Sequence, residues 1–231
     1  VISVSREGQQ IDLQRAVNGI WALDWTGTSS YNQGVTYDYK SSDIVYESLS
    51  GNAVAVFSDG DTNPVYRHWD GVSWSAEADV FSGAPPGGSI IVWVQLVAKP
   101  GSNDIALGYS DTGDDVYSII WSGNAWVQAS TKTLEATATQ ITESLAFGLA
   151  YETRSGDLFA CWSDQNQYFL TYATMPNNTF SWTTTQTYTY TTNRPERPDT
   201  FTLVPHPVDD RIAILMETTT RRAEAVIWDE I

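Results

Sequence analysis

The two histidines are the first side chains to consider for acid–base or metal chemistry. His68 stands in the segment VYRHWDG and His206 in the segment VPHPVDD. Neither histidine has the spacing of a zinc site or a catalytic triad, so we expect structural roles for both. Cys161 is the only cysteine, and it can therefore form neither an intrachain disulfide nor a thiolate metal cluster. The sequence predicts no catalytic residue.

Aspartates cluster in the segment SDTGDD, where Asp111, Asp114 and Asp115 fall within one predicted turn. The segment SDGD places Asp59 and Asp61 in a corresponding turn. Carboxylate oxygens on a flexible loop are ligands that calcium prefers. Aspartate, serine and glycine are also ordinary turn residues whose side chains cap nearby amides. The sequence leaves a calcium site and a plain turn open, and it predicts no other cofactor.

A threonine-rich segment at 177–199 reads NNTFSWTTTQTYTYTTNRPERPD. Trp182, Tyr188 and Tyr190 stand among its threonines in a pattern typical of a β-strand, which we expect at the outer edge of its sheet. Edge strands offer unpaired backbone groups to other chains, so these aromatics are candidate contacts to a protein partner or a second copy. The alternative is a merely soluble outer strand. Asn177 also begins an N-glycosylation sequon, Asn-Asn-Thr.

The charge balance excludes one class of partner. Twelve lysines and arginines stand against 28 aspartates and glutamates, which gives a formal net charge of −16. Such a chain repels nucleic acid and anionic lipid. The longest apolar run, IIVWVQLVA at 90–98, is far shorter than the roughly 20 residues that span a bilayer. We expect neither a nucleic-acid partner nor direct membrane insertion.

An internal repeat organises the elements that would position these groups. The segments NAVAVFSDGD, DIALGYSDTG, DLFACWSDQN and DRIAILMETT each join a polar turn residue to an apolar run. They begin at Asn52, Asp104, Asp157 and Asp210, which are 52, 53 and 53 residues apart. A period of about 50 residues is typical of propellers and solenoid arrays.

Tryptophan and glycine keep the same period. The hexapeptides WDGVSW and WSGNAW are 52 residues apart, and each is predicted to form the hairpin between the third and fourth strands of a unit. The glycines allow the turn, and the tryptophans offer wide faces for burial between neighbouring sheets. We assign this structural role to Trp21, Trp69, Trp74, Trp121, Trp126, Gly71 and Gly123.

Each complete unit contains four predicted strands. IVWVQLVA, IALGYS, VYSIIW and AWVQAS are rich in β-branched and aromatic residues and are separated by turn clusters. About eighteen strands result, so we expect an all-β protein, a five-bladed β-propeller with incomplete first and last blades. The alternative is a segment of a longer array whose missing strands come from flanking sequence or another copy. The predicted units of this single domain are 1–43, 44–89, 90–143, 144–197 and 198–231.

The segments PGSNDIALGYSD and DVYSIIWSGNAW resemble the degenerate propeller repeats of large secreted or cell-surface bacterial and archaeal proteins. They show a fainter similarity to sialidase and TolB-type blades. The turn that begins at Ser110 departs from the sialidase Asp-box, because it is one residue shorter and lacks the terminal aromatic. The resemblance implies a fold and an extracellular or cell-surface location, whereas propellers serve many unrelated functions.

The sequence bears on two forms of sugar recognition. A sialidase-like hydrolase needs three arginines that converge on a carboxylate, and Arg67, Arg154 and Arg197 occupy different positions within their units. A lectin with one site per blade would repeat an arginine or glutamate in its third strands. The segments YRHWD, YSIIW and YFLTYAT repeat neither, although a single degenerate site is compatible with them.

The sequence therefore leaves three functions open. The sequence favours a non-catalytic extracellular or cell-surface module for adhesion, protein–protein contact or assembly of a surface layer or filament. A carbohydrate-binding propeller is the alternative, and a sialidase-like glycosidase comes third. A protein partner or self-assembly is expected, and a glycan ligand is the second option.

Overall fold

The computed structural model describes residues 2–7, 10–28, 39–135, 144–164, 169–189, 197–218 and 220–229. Within these ranges the chain consists of β-strands, turns and irregular segments, without a helix. It follows that none of the described residues belongs to a helix long and apolar enough to cross a membrane.

The described strands form five antiparallel sheets, each built from strands that are consecutive in the chain. Sheet 1 contains β1 (Ile2–Glu7), β2 (Gln10–Val17) and β3 (Ile20–Thr28). Sheet 2 contains β4 (Ser42–Tyr46), β5 (Ala53–Phe57), β6 (Val65–Trp69) and β7 (Ala78–Asp79). Sheet 3 contains β8 (Ile91–Ala98), β9 (Asp104–Asp111), β10 (Val116–Ser122) and β11 (Trp126–Glu135). Sheet 4 contains β12 (Phe147–Tyr151), β13 (Leu158–Ser163), β14 (Phe169–Met175) and β15 (Gln186–Thr189). Sheet 5 contains β16 (Pro198–Pro205), β17 (Ile212–Thr218) and β18 (Ala223–Trp228).

This arrangement confirms the prediction of an all-β propeller built from four-stranded sheets. The first strands of sheets 2 to 5 lie beside one another at the inner side of the arc. Sheets 1 and 5 have three strands each among the described residues. The order within every sheet follows the chain because short turns between successive strands permit only antiparallel neighbours.

Strand register shows which strands correspond between sheets. Ala53 pairs with Trp69 in sheet 2, and Ile105 pairs with Trp121 in sheet 3. The next hairpin brings Trp69 opposite Trp74 and Trp121 opposite Trp126. In sheet 1, Ala16 pairs with Trp21 at the same spacing of five residues. By register, β1, β2 and β3 therefore correspond to the second, third and fourth strands of a sheet.

The last repeat is one residue out of register with the sequence alignment. Tyr151 pairs with Leu158 in sheet 4, and Pro205 pairs with Ile212 in sheet 5. The position of Asp157, just before its strand, is therefore taken in sheet 5 by Arg211 and not by Asp210. The amide of His206 donates accordingly to the carbonyl of Arg211 at 2.7 Å.

The core lies between neighbouring sheets and not at one centre. Separate clusters of buried side chains fill the interfaces of sheets 2 and 3, 3 and 4, and 4 and 5. A smaller cluster of Ile11, Phe57 and Val65 fills the interface of sheets 1 and 2. Because side chains alternate across a strand, each inner sheet buries one face against the sheet before it and the other against the sheet after it.

Candidate functional site

Three sheets place a tryptophan at the same position, the end of the third strand. These residues are Trp69, Trp121 and Trp228, and sheet 4 has Met175 in their place. Each of the three rings contacts the preceding sheet. The interfaces differ in the polar group that meets this position, and that difference identifies the candidate site.

At the interface of sheets 2 and 3 the tryptophan meets a buried carboxylate. Trp121 Nε1 donates a 2.7 Å hydrogen bond to Oε1 of Glu47, which follows β4. The Ser50 hydroxyl donates to the other carboxylate oxygen. The His68 ring lies 5.3 Å from the Trp121 ring, between centroids. A buried carboxylate is tolerated when hydrogen bonds replace its water, and both oxygens of Glu47 are hydrogen-bonded here.

The interface of sheets 4 and 5 repeats that arrangement. Trp228 Nε1 donates to Oε1 of Glu152 at 2.7 Å, and the Ser155 hydroxyl donates to Oε2 at 2.7 Å. Glu152 is fully buried, and the Tyr172 ring packs against Trp228. The sequence reading missed both glutamates. Their shared motif Glu-x-x-Ser-Gly, in ESLSG and ETRSG, was the available signal.

A lysine fills the corresponding position between sheets 3 and 4. Lys99 Nζ binds Oδ2 of Asp104 at 3.3 Å, Oδ1 of Asn178 at 3.3 Å and Oδ1 of Asn177. The Asn177 amide nitrogen, where a glycan would attach, donates to the Ser155 carbonyl at 2.7 Å. The sequon nitrogen is therefore engaged in a hydrogen bond within sheet 4, and glycosylation would require the loss of that hydrogen bond.

At the interface of sheets 1 and 2 the same tryptophan meets a guanidinium group. The Arg15 guanidinium lies 4.8 Å from the centroid of the Trp69 ring. Arg67 on β6 reaches in the opposite direction and lies 4.1 Å from the Trp25 ring on β3. Each sheet thus supplies one cation and one indole, and the two cation–π pairs interlock. The Trp74 ring lies against Trp69, at 5.6 Å.

The polar atoms of this cluster are incompletely paired. Arg15 Nη2 binds Oδ1 of Asp24 at 3.3 Å, and Arg67 Nη1 donates to the Ser75 carbonyl at 2.7 Å. Both arginine Nε atoms and Oδ2 of Asp24 are buried without a hydrogen-bond partner. Burial lowers the pKa of Arg67, and the charge of Glu77 acts in the opposite direction. Unpaired polar groups of this kind require an explanation, such as water or a ligand.

The cluster is also accessible from solvent. The Arg15 side chain is 37% exposed and the Asp24 side chain 13%. The Trp69 ring is buried beneath the guanidinium, and the half-buried Trp74 ring beside it is the aromatic surface near the donors of Arg15 and the acceptors of Asp24. Small-molecule sites are built in this way, from aromatic walls and a few polar groups that set orientation.

The predicted structural residues are mostly buried as expected. Trp69, Trp121 and Trp126 belong to the core. Gly71 and Gly123 have φ values of +95° and +88°, a backbone region that favours glycine. Trp74 is half-buried.

Trp21 departs from that expectation. Its side chain is 52% exposed, although its register matches that of Trp126. Trp126 packs against Tyr66 of the preceding sheet. The corresponding face of sheet 1 meets no sheet among the described residues, so Trp21 lacks a surface to pack against.

The calcium prediction is not supported. Oδ1 of Asp111 accepts the amides of Gly113 at 2.9 Å and Asp115 at 3.2 Å. No group of three histidine, cysteine, aspartate or glutamate side chains in the described ranges, which include Asp114, could hold a metal ion. The segment is therefore a turn closed by its own carboxylate, the alternative that the sequence left open.

The three candidate partner contacts are separated by the structure. Trp182 is half-buried and packs on the core between sheets 3 and 4, where its Nε1 donates to the Ser130 carbonyl at 3.1 Å. Tyr188 lies on the outer strand β15 and is 41% exposed. Tyr190 lies outside the described residues. Trp182 is thus mainly a packing residue, and Tyr188 keeps the exposure that a contact requires.

The remaining sequence candidates lie apart from one another in the fold. Arg67 points into the interface of sheets 1 and 2, Arg154 lies in the turn after β12, and Arg197 precedes β16. His206 Nδ1 lies 2.8 Å from Oδ1 of Asp209. None of these groups is part of the hydrogen-bonded pair of Glu47 and Trp121, which the His68 ring approaches.

The overall fold is similar to that of solved propeller lectins. The six-bladed fungal lectin of Aleuria aurantia matches with a TM-score of 0.57 and 15% identity, over 96% of this chain and 68% of that one. The SapL1 lectin, solved with α-methyl fucoside, matches with a TM-score of 0.54 and 15% identity, over 96% and 70%. The BP39L lectin of Burkholderia pseudomallei matches with a TM-score of 0.54 and 12% identity, over 100% and 67%.

At these identities the similarity shows the fold, which is a β-propeller. No protein-family model matches the chain, and no curated protein matches it in sequence. The similarity to sialidase and TolB-type blades, and a bacterial or archaeal origin, stay predictions.

Proposed function

We propose that this chain is a carbohydrate-binding β-propeller whose site lies between sheets 1 and 2. The observation that carries the proposal is the partly exposed Arg15 guanidinium above the Trp69 ring, with Asp24 beside it. Trp69 is buried beneath Arg15, and the half-buried Trp74 ring beside it can contact the apolar face of a sugar ring, while guanidinium and carboxylate groups bind its hydroxyls. The fold similarity to lectins solved with fucosides supports this class of ligand.

The other three interfaces support a single site in the described chain. Glu47 and Glu152 already accept the indole hydrogen bonds of the tryptophans at two interfaces. At the third interface, Lys99 is held by an aspartate and two asparagines. A ligand would have to break buried hydrogen bonds at each of these positions. At Arg15 it would instead find an exposed cation.

An extracellular or cell-surface location and a non-catalytic role belong to the same proposal. The net charge of −16 favours solubility and suits a module that binds a ligand without contacting nucleic acid. A lectin acts by binding alone, so this function requires no catalytic group.

Protein contact is the second candidate, and the outer faces of sheets 1 and 5 favour it. Trp21 and Leu23 are exposed on sheet 1, and Leu215 and Ile227 are exposed on sheet 5. Large exposed apolar surfaces often mark interfaces. Analytical ultracentrifugation separates the candidates, because assembly or adhesion through these faces predicts association that Leu215→Glu weakens, and sugar binding at Arg15 predicts no dependence on Leu215.

A glycan array followed by calorimetric titration tests the proposed function. We expect the purified chain to retain a defined set of glycans and Arg15→Ala to lose them while it keeps the circular dichroism spectrum of the folded chain. Arg211→Ala is the matched control, because Arg211 is an exposed arginine on sheet 5 that pairs with Asp209. Absence of glycan binding by the unaltered chain, or equal binding by both variants, would contradict the proposal.

A further inference from the structure

The repeated sheet interfaces reveal an inversion of charge at the candidate site. Trp121 and Trp228 each bind a carboxylate, from Glu47 and Glu152. Trp69, at the same register position, lies against the Arg15 guanidinium. The third-strand tryptophan therefore contacts an anion at two interfaces and a cation at this one.

Register shows how the inversion arises. Arg15 precedes Ala16 on β2 as His68 precedes Trp69 on β6, and each packs on the tryptophan of the following sheet. The position occupied by Arg67 carries Ile119 in sheet 3 and Ala173 in sheet 4. Both cations are thus particular to this one interface of a strongly acidic chain.

The two acidic groups beside these guanidinium groups, Asp24 and Glu77, pair with them only weakly. Asp24 makes one 3.3 Å contact with Arg15, and Arg67 is bonded to a neutral carbonyl, that of Ser75. The Nε atoms of both arginines lack an acceptor. A guanidinium stays charged even when buried, and its fork of donors matches a carboxylate. Arg15 therefore keeps a partly exposed and incompletely paired guanidinium in a chain of net charge −16.

We infer that this interface binds the carboxylate of an acidic saccharide, such as a uronic acid, through Arg15. The inference rests on the proposed function and adds the class of sugar. The carboxylate meets the exposed side of the Arg15 guanidinium, while the sugar ring lies against the half-buried Trp74 ring and its hydroxyls face Asp24. Neutral sugars make the ring contacts alone and bind more weakly.

Calorimetric titration with matched ligands tests the inference. The probes are galacturonate, glucuronate and sialic acid, each beside its neutral methyl ester, with acetate and N-acetylglutamate amide as carboxylates that lack a sugar ring. We expect at least tenfold tighter binding of one acid than of its ester, and an affinity that falls as salt rises. Arg15→Gln should remove the preference, Arg15→Lys should retain part of it, and Arg211→Gln should leave it unchanged.

The outcomes separate this inference from the proposed function. Equal binding of acids and esters, or glycan-array binding restricted to neutral sugars, would overturn the acidic ligand and leave a carbohydrate-binding propeller. Binding of acetate or N-acetylglutamate amide as tightly as the sugar acids would assign the site to carboxylates in general and overturn the saccharide. Failure of every acid, ester and arrayed glycan would overturn both proposals.

Discussion

Trp121 Nε1 lies 2.7 Å from Oε1 of Glu47, and this hydrogen bond joins sheet 3 to sheet 2. The same bond joins Trp228 of sheet 5 to Glu152 of sheet 4. Propeller sheets contact mainly through apolar faces, which slide more easily than hydrogen-bonded pairs. A buried indole–carboxylate bond fixes the relative position of two sheets, and at the interface of sheets 1 and 2 the cation–π pair of Arg15 and Trp69 takes its place.

Removal of the indole donor should destabilise the fold. Trp121→Phe keeps an aromatic ring but deprives the buried Glu47 of a hydrogen bond, so we expect a loss of about 1–3 kcal/mol in the free energy of unfolding. Urea denaturation measures it. Trp21→Phe is the control, because that ring is about half exposed and the change should stay within about 0.5 kcal/mol. Equal losses would refute the structural role of the Trp121–Glu47 bond.

Packing between sheets should depend on Trp126 much more than on Trp21. Trp126 is buried against Tyr66 and Trp121, so Trp126→Ala should cost about 3–5 kcal/mol. Trp21→Ala should cost far less, since half of the side chain already contacts solvent. Differential scanning calorimetry of both variants provides the comparison, and a similar Tm would mean that Trp126 does not hold the sheets together.

The hairpin glycines should resist substitution. Gly123 has φ +88°, and a Cβ added there would lie 2.8 Å from Cβ of Asn103, so Gly123→Ala should cost more than about 1 kcal/mol. Gly83 has neither a positive φ nor a neighbour within 4 Å, and Gly83→Ala should change stability little. Chemical denaturation distinguishes them. If Gly123→Ala left the free energy of unfolding unchanged, the turn would have a different backbone conformation.

Asp111 should make stability fall as pH rises above 4. Burial raises its pKa above the ordinary value of 3.8, so the folded state binds more protons than the unfolded state between 3.8 and the raised pKa. The contribution of this group is most favourable below the unfolded pKa and is lost as pH rises through the folded one. Asp111→Asn should remove this slope from urea unfolding measured between pH 3 and 7.

Asp209 provides a control of opposite sign. Arg211 hydrogen-bonds its carboxylate and lowers the pKa of Asp209 to about 2. Its contribution is therefore present above about 3.8, the unfolded value, and is lost as pH falls through about 2. Asp209→Asn should lower stability above about pH 4 and have little effect near pH 2, so it removes a pH slope only between those two values. If Asp111→Asn acts in that same acidic range, the burial assigned to Asp111 is wrong.

The fold followed from the sequence because its signals repeat. Trp74 and Trp126, with Gly71 and Gly123, recur at one spacing, and a hairpin with a wide aromatic ring needs only local information. Trp21 kept that spacing but not the burial, since burial depends on whether a sheet covers it. Its 52% exposure could not be derived from the repeat.

The candidate site could not be derived in this way. Arg15 and Trp69 are 54 residues apart and meet only when two sheets stack, so no local pattern marks the pair. Glu47 and Glu152 recur at 105 residues, about twice the period of the repeat, because Lys99 occupies the position between them. A motif that recurs once per blade therefore does not include these glutamates. The calcium prediction finds no support among the described residues, where no three acidic side chains are placed together to hold a metal ion and Oδ1 of Asp111 accepts amides of its own turn.

Ligand mapping by NMR tests the central claim most directly. The side-chain NH signals of arginine and tryptophan would be recorded with and without a glycan retained on the array. Binding between sheets 1 and 2 predicts shifts at Arg15 Nε and at the indole of Trp69, with no change at Trp121 or Trp228, whose indoles hold Glu47 and Glu152. Shifts at Trp121 and Trp228 without any at Arg15 would contradict the assignment of the site.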